Sequence, residues 1–211
     1  MKKIEITSLK NQKEHFQKNF VNCLTGVKSA NLIGTISENK ISALSIVSSC
    51  FHLGANPALI GFISRPDSSP RHTLNNIRGN GILTINHVNS DIIEKAHQTS
   101  ARYPEEISEF KECHLTEEYL DGFPAPFVKE SLFKFSLKLV RDEKIKENNT
   151  HLIIAEVINI YFPENAIDQE GRIDLSITDS VGVAGLDQYY RLNSIGKLSY
   201  AKPEKWPIWL K

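Results

Sequence analysis

Residues 62–78 read FISRPDSSPRHTLNNIR and set Arg65, Arg71, His72 and Arg78 around a Pro-Asp-Ser-Ser-Pro turn at the end of an apolar run. Guanidinium groups present planar forks of donors matched to phosphate oxygens, His72 can add a donor, and Thr73 would place a hydroxyl at a helix start beside free backbone amides. Such a group can hold a phosphate ester. The same residues could be solvated loop charges, and their spacing alone does not choose. The preceding stretch, ALSIVSSCFHLGANP, puts Ser45, Ser48, Ser49 and Cys50 at the end of an otherwise apolar strand. Small residues there would let a flat ligand reach backbone N–H and C=O groups. Capped serines at a polar strand end are the other reading.

The rest of the chain narrows the chemistry. Lys+Arg and Asp+Glu are 25 each and the sequence pI is near 7.1, so no global field would hold a nucleic acid or an anionic membrane surface, and any anion site must be local. With 211 residues and 40% hydrophobic content, one core and a single domain, 1–211, are expected. The start, MKKIEITSLKNQKEHF, has no apolar stretch behind its lysines, and no run reaches the length of a membrane helix. Cys23, Cys50 and Cys113 lie far apart without a Cys-x-x-Cys pair, which argues against a disulfide framework or zinc knuckle and for a reducing, cytoplasmic setting. Cys50 reads as a small buried residue rather than a redox thiol. His15, His52, His87, His114 and His151 never take a metal-ligand spacing, so no metal is expected. Neither Gly-x-Ser-x-Gly nor Gly-x-Gly-x-x-Gly occurs, so a nucleotide would dock without a Rossmann unit.

The elements that must position these groups are mostly strands. A short polar helical lead, NQKEHFQKNF, comes first. ANLIGTISENKISALSIVSS predicts a hairpin turning at Glu38-Asn39, and NPALIGFIS a strand buried on both faces or covered by a ligand. SPRHTLNNIRGNG predicts a short helix ended by Gly79-Asn80-Gly81, followed by the strand ILTINHV. Residues 90–122 carry helical signal, with Ser90 or Asp91 as a cap and Pro104 in a first turn, and read as an insertion between strands. FKFSLKLV and THLIIAEVINIYF predict a long hairpin, and a C-terminal extension begins near residue 179. Asp187, Tyr189, Tyr190 and Arg191 could line a substrate mouth or a subunit contact, or simply pack. Six or so strands with segregated helices suggest an antiparallel barrel.

From residue 31 to 88 the order is Ser-rich strand end, Asn-Pro turn, apolar strand, Arg-containing loop, Thr at a helix start, Gly-ended helix and ILTINHV. This resembles the flavin reductase-like family of FMN-binding split barrels, and RPDSSPRHTLNNIRGNGILTINHV is similar to its phosphate loop and following strand. EKAHQTSARYPEEISEF, AEVINIYFPENAIDQEGRIDL and GLDQYYRL extend the likeness over nearly all the chain after residue 25. The resemblance implies a mainly β fold with α insertions, an antiparallel six-stranded split β-barrel. It implies that Arg65, Arg71 and Thr73 meet the FMN phosphate with His72 adjacent. Ser48 and Ser49 would meet the ribityl chain and ring edge, flanked by Val47 and Cys50. Asn86 would lie near the flavin, and His97 close to the open face of the ring; His97 reads either as a solvated helix residue or as a group that orients a nicotinamide or another acceptor. Family members often have Lys-Asp-Thr where this chain has Arg71-His72-Thr73, which leaves the role of His72 open. The implied activity is an NAD(P)H-dependent flavin reductase working as a homodimer. A flavoredoxin-like electron carrier reduced by a protein partner and a flavin-free binding module are the alternatives.

Overall fold

The computed structural model describes residues 1–13, 15–68 and 71–210, so Ser69 and Pro70 of the Pro-Asp-Ser-Ser-Pro turn lie outside the described residues. In chain order the strands are β1 (Lys28–Ser29), β2 (Asn31–Ile36), β3 (Ser42–Val47), β4 (Phe51–Ala55), β5 (Ala58–Ser64), β6 (Ile82–His87), β7 (Glu117–Glu118) and β8 (Phe127–Val128). They continue with β9 (Lys134–Ile145), β10 (Thr150–Tyr161), β11 (Val181–Ala184), β12 (Gln188–Arg191), β13 (Lys197–Leu198) and β14 (Trp209–Leu210). The α-helices are α1 (Phe16–Cys23), α2 (His72–Asn80), α3 (Ile93–Gln98) and α4 (Glu109–Glu112).

The main sheet is antiparallel and runs β3-β2-β6-β9-β10-β5-β4. It has seven strands rather than the expected six. The extra one is β4, which merges with the end of β3 in the sequence because four of its five residues are exposed and no inward-outward alternation marks it. β3 and β4 are the two edges of the sheet, yet only residues 48–50 separate them. A flat sheet of this order would span about 29 Å at roughly 4.8 Å per strand spacing. The link bridges at most about 14 Å. The sheet therefore curls until its edges adjoin, and residues 48–50 form the seam of a barrel.

Alternating residues of β2 fall into different cores. Leu32 joins Leu44, Val88, Ile92, Phe110 and Val183, while Ile33 joins Phe62, Leu74, Ile77, Ile85 and Ile153. Both faces of β2 are thus buried, as period two demands of a strand with layers on either side. Leu74 and Ile77 give α2 its apolar stripe, and Gly81 at φ 69° ends it in the left-handed region where glycine is unstrained.

The 90–122 segment differs in detail from expectation. The cap of its first turn is Asn89, whose side chain accepts from the Asp91 amide at 3.2 Å, not Ser90 or Asp91. Pro104 begins a turn, and the helix beyond it is only the four-residue α4. This segment covers the outer edge of β3. The Leu44 amide donates to Glu109 Oε2 at 3.0 Å and the Ile46 amide to Thr99 Oγ1 at 3.0 Å, so side chains supply the acceptors that a further strand would have given.

Candidate functional site

The seam is where the chemistry-bearing residues converge. Ser49 accepts from the Ile63 amide at 3.0 Å and donates to the Ile63 carbonyl at 3.2 Å, which stitches the link to β5 two residues before Arg65. On the other side the Thr73 hydroxyl donates to Ser45 Oγ at 3.0 Å, fixing the first turn of α2 against β3. Val47, Ser48 and Cys50 lie half-buried along the same link, and burial pushes the Cys50 thiol up to about 12, which leaves it an inert thiol at neutral pH. The first bond of α2 runs from the Asn75 amide to the Arg71 carbonyl at 2.9 Å, so the amides of residues 72–74 come before it and face the loop.

Arg71 donates through Nε to the Pro66 carbonyl at 3.1 Å, bracing the loop across its own turn. Burial lowers its pKa, and the like charges of Arg65 and Arg102 add to that. Among the described residues, ion pairs engage Arg78, Arg141 and Arg172 but none of Arg65, Arg71 and Arg102. The one acid between Arg65 and Arg71, Asp67, is drawn instead to Arg78 at 3.5 Å, Lys144 at 3.8 Å and His151 at 3.2 Å. Partial desolvation pushes its carboxyl up, but those three neighbours outweigh it and hold it below the usual carboxylate range. Arg65 and Arg102 thus both lie within charge reach of Arg71, and none of the three has an ion-pair partner among the described residues.

The remaining candidates separate from this group. Arg78, part of the same sequence cluster, is spent on Asp142 at 2.7 Å and on Asp67, tying α2 and the loop to the β9–β10 hairpin. The His72 ring is engaged by the 90–122 segment, donating through Nε2 to the Tyr103 carbonyl at 3.3 Å. Its Nδ1 is buried without a partner among the described residues, in a cleft shared with Asn76 and Glu109. Asn86 is wholly buried and its amide is fully used, donating to the Leu32 carbonyl and Thr84 and accepting from the Val128 amide at 2.9 Å. It joins β6 to β2 and β8, so in this structure its amide serves the sheet. His97 is exposed on α3 and pairs with the Tyr189 hydroxyl at 2.9 Å, its ring edge-on to the tyrosine at 5.9 Å. It sits between α3 and β12, not within the serine and arginine group.

Residues 27–175 match the flavin reductase like domain. The chain belongs to that family. A protein of Shewanella frigidimarina NCIMB 400, assigned as a flavin reductase with a split barrel domain, superimposes with a TM-score of 0.92 at 47% identity, covering 95% of this chain and 100% of that one. Nitrilotriacetate monooxygenase component B from Bacillus cereus has the same fold at 19% identity, TM-score 0.81, over 94% and 98% of the two chains. Flavoredoxin of Desulfovibrio vulgaris (Miyazaki F) shares it at 20% identity, TM-score 0.68, over 85% and 92%. An uncharacterized protein of Aquifex aeolicus (strain VF5) is 25% identical over 132 residues, and the match spans 63% of this chain and 66% of that protein.

In this flavin reductase like barrel the residues that sequence inspection passes over are Thr99, Arg102 and Glu109. Thr99 and Glu109 read as helix-end and first-turn polar residues, yet they are 3% and 7% exposed and complete the β3 edge. Burial pushes the Glu109 carboxyl up against the pull of the Leu44 amide. Nothing in the local sequence of Arg102 distinguishes it from a solvated surface arginine.

Proposed function

We propose that the protein binds FMN at the seam and acts as an NAD(P)H-dependent flavin reductase. The observation that carries this is the pair Arg65 and Arg71, which have no carboxylate partner among the described residues, beside the free first-turn amides of α2 and the Thr73 hydroxyl. Unneutralised guanidinium groups at a helix start suit a phosphate monoester, and each charge-assisted contact is worth roughly 1.5–3 kcal/mol. When bound, the flavin supplies the redox chemistry, taking a hydride from a reduced nicotinamide and passing electrons on. The chain's own part is positioning. Arg65, Arg71 and Thr73 would hold the phosphate, and the small residues Ser48 and Ser49 would leave room for the ribityl chain and ring edge at the seam. Ser49, pinned to Ile63, keeps that link from shifting. His97 and Tyr189, held to each other, would border the space where a nicotinamide docks.

A second copy of the chain belongs to this reading. Phe51, Leu53, Val140, Ile158 and Ile160 leave apolar surface exposed on three strands of the main sheet, and Tyr200 and Trp206 are each 88% exposed on the C-terminal arm. Exposed apolar area on this scale suits a homodimer contact.

The test is an absorption spectrum and anaerobic mixing. The purified protein should take up FMN in preference to riboflavin, and NADH or NADPH should bleach the bound flavin. Equal affinity for riboflavin would remove the phosphate loop assignment. Bleaching by dithionite but by neither nucleotide would replace the reductase with an electron carrier.

A further inference from the structure

The third uncompensated cation, Arg102, belongs to a different part of the chain from the other two. It lies in the 90–122 segment, at a turn anchored on every side. Thr99 accepts from the β3 edge at Ile46, and the Tyr103 hydroxyl accepts from Gln98 Nε2 at 2.9 Å. The Tyr103 carbonyl accepts from the His72 ring at 3.3 Å. That last bond joins the immediate neighbours of Arg71 and Arg102, and so brings the two stretches of chain together. Arg102 is exposed and enters no ion pair among the described residues, and with Asp67 turned toward Arg78, Lys144 and His151 no acid of the loop offsets it. Holding like charges together costs free energy unless an anion arrives to share.

We propose that Arg102 is the third cation of the anion site, so that a phosphate monoester held by Arg65 and Arg71 also clamps the 90–122 segment onto the barrel. The proposal rests on the FMN reading above and extends it. A phosphomonoester carries about −1.5 to −2 charge and three acceptor oxygens near pH 7, which matches three guanidinium donors from two separate elements better than a carboxylate would. Loading of the site and tightening of the segment that bears His97 onto the barrel thereby become one event. Riboflavin, with the same ring and no phosphate, cannot produce it.

The experiment compares FMN and riboflavin on wild-type protein and on Arg102→Ala and Arg102→Lys, reading affinity by flavin fluorescence and amide hydrogen exchange over residues 98–107. Arg102→Ala should weaken FMN about 10-fold and leave riboflavin unchanged, as loss of one contact to a charged group implies. FMN, but not riboflavin, should slow exchange of 98–107 in the wild type, and Arg102→Ala should abolish that protection. Arg102→Lys should recover part of the affinity, since it restores charge without the fork. If Arg102→Ala keeps the wild-type preference for FMN, the role of Arg102 falls while the FMN site stands. If it weakens both flavins equally, Arg102 is a structural residue. A wild type that takes riboflavin as tightly as FMN overturns the anion site and the clamp together.

Discussion

Arg71 is the residue on which the proposed anion site turns, since its guanidinium is braced by the Pro66 carbonyl at 3.1 Å and flanked by two like charges. Arg71→Ala should weaken FMN by about 10- to 100-fold, the equivalent of roughly 1.5–3 kcal/mol, with thermal stability of the flavin-free protein little changed. A collapse of that stability would mark Arg71 as part of the frame. His97→Ala should slow reduction of bound FMN by NAD(P)H several-fold and leave FMN affinity nearly unchanged, because the His97 ring is hydrogen-bonded to Tyr189 and, among the described residues, to no seam residue. Loss of FMN in that variant would put His97 in the cofactor site. The placing of Arg71 and Thr73 at the start of α2 was legible, because a cation and a hydroxyl at a helix start have a local signature. Asn86 was not, because a polar residue in a strand looks alike whether it faces a ligand or satisfies buried amides. Arg102 was invisible for a further reason: its nearness to Arg71 arises from a contact 31 residues apart, between His72 and Tyr103.

At the level of elements, the β3 edge depends on two side chains. Removing the Glu109 carboxylate leaves the Leu44 amide buried without an acceptor, a loss of about 1–3 kcal/mol. Glu109→Ala should therefore lower stability by that amount in urea, whereas Glu109→Gln, which retains an acceptor oxygen, should stay near wild type; equal losses would trace the effect to packing instead. The hairpins β2–β3 and β9–β10 and the helix α2 were readable from period and punctuation, since each has an apolar face, a turn signal or a terminal glycine. β4 escaped because a strand exposed along almost its whole length carries no alternation. The Pro104 stretch misled because proline opens turns as readily as helices, and the helix starts only at Glu109.

For the molecule as a whole, pH acts through His87. Burial lowers its pKa from 6.5 to about 4, its Nδ1 lies 3.0 Å from Ser180 Oγ, and its ring packs on Phe133 at 4.5 Å. Its folded form resists the proton that the unfolded chain accepts, so the stability it confers is complete above pH 6.5 and is lost as pH falls toward about 4. The loss should be on the order of 3 kcal/mol in urea titrations across that window, and His87→Asn should flatten the dependence. The strand order had no sequence signal of its own, because pairing partners are chosen by topology rather than by neighbouring residues; strand count and segregated helices pointed to an antiparallel barrel, and the family resemblance supplied its split form. That order also dictates when the proposed flavin site can exist. β3 and β4 adjoin in the chain but stand at opposite edges of the sheet, so the seam cannot close until β2, β6, β9, β10 and β5 have taken their places between them. Cofactor capture is then a late event in folding, dependent on contacts of long sequence separation. In stopped-flow refolding, far-UV ellipticity should recover before flavin fluorescence is quenched, and added FMN should retard unfolding while leaving the folding rate unchanged. Faster folding with FMN present would mean that the seam forms early, ahead of the strands that separate its two sides.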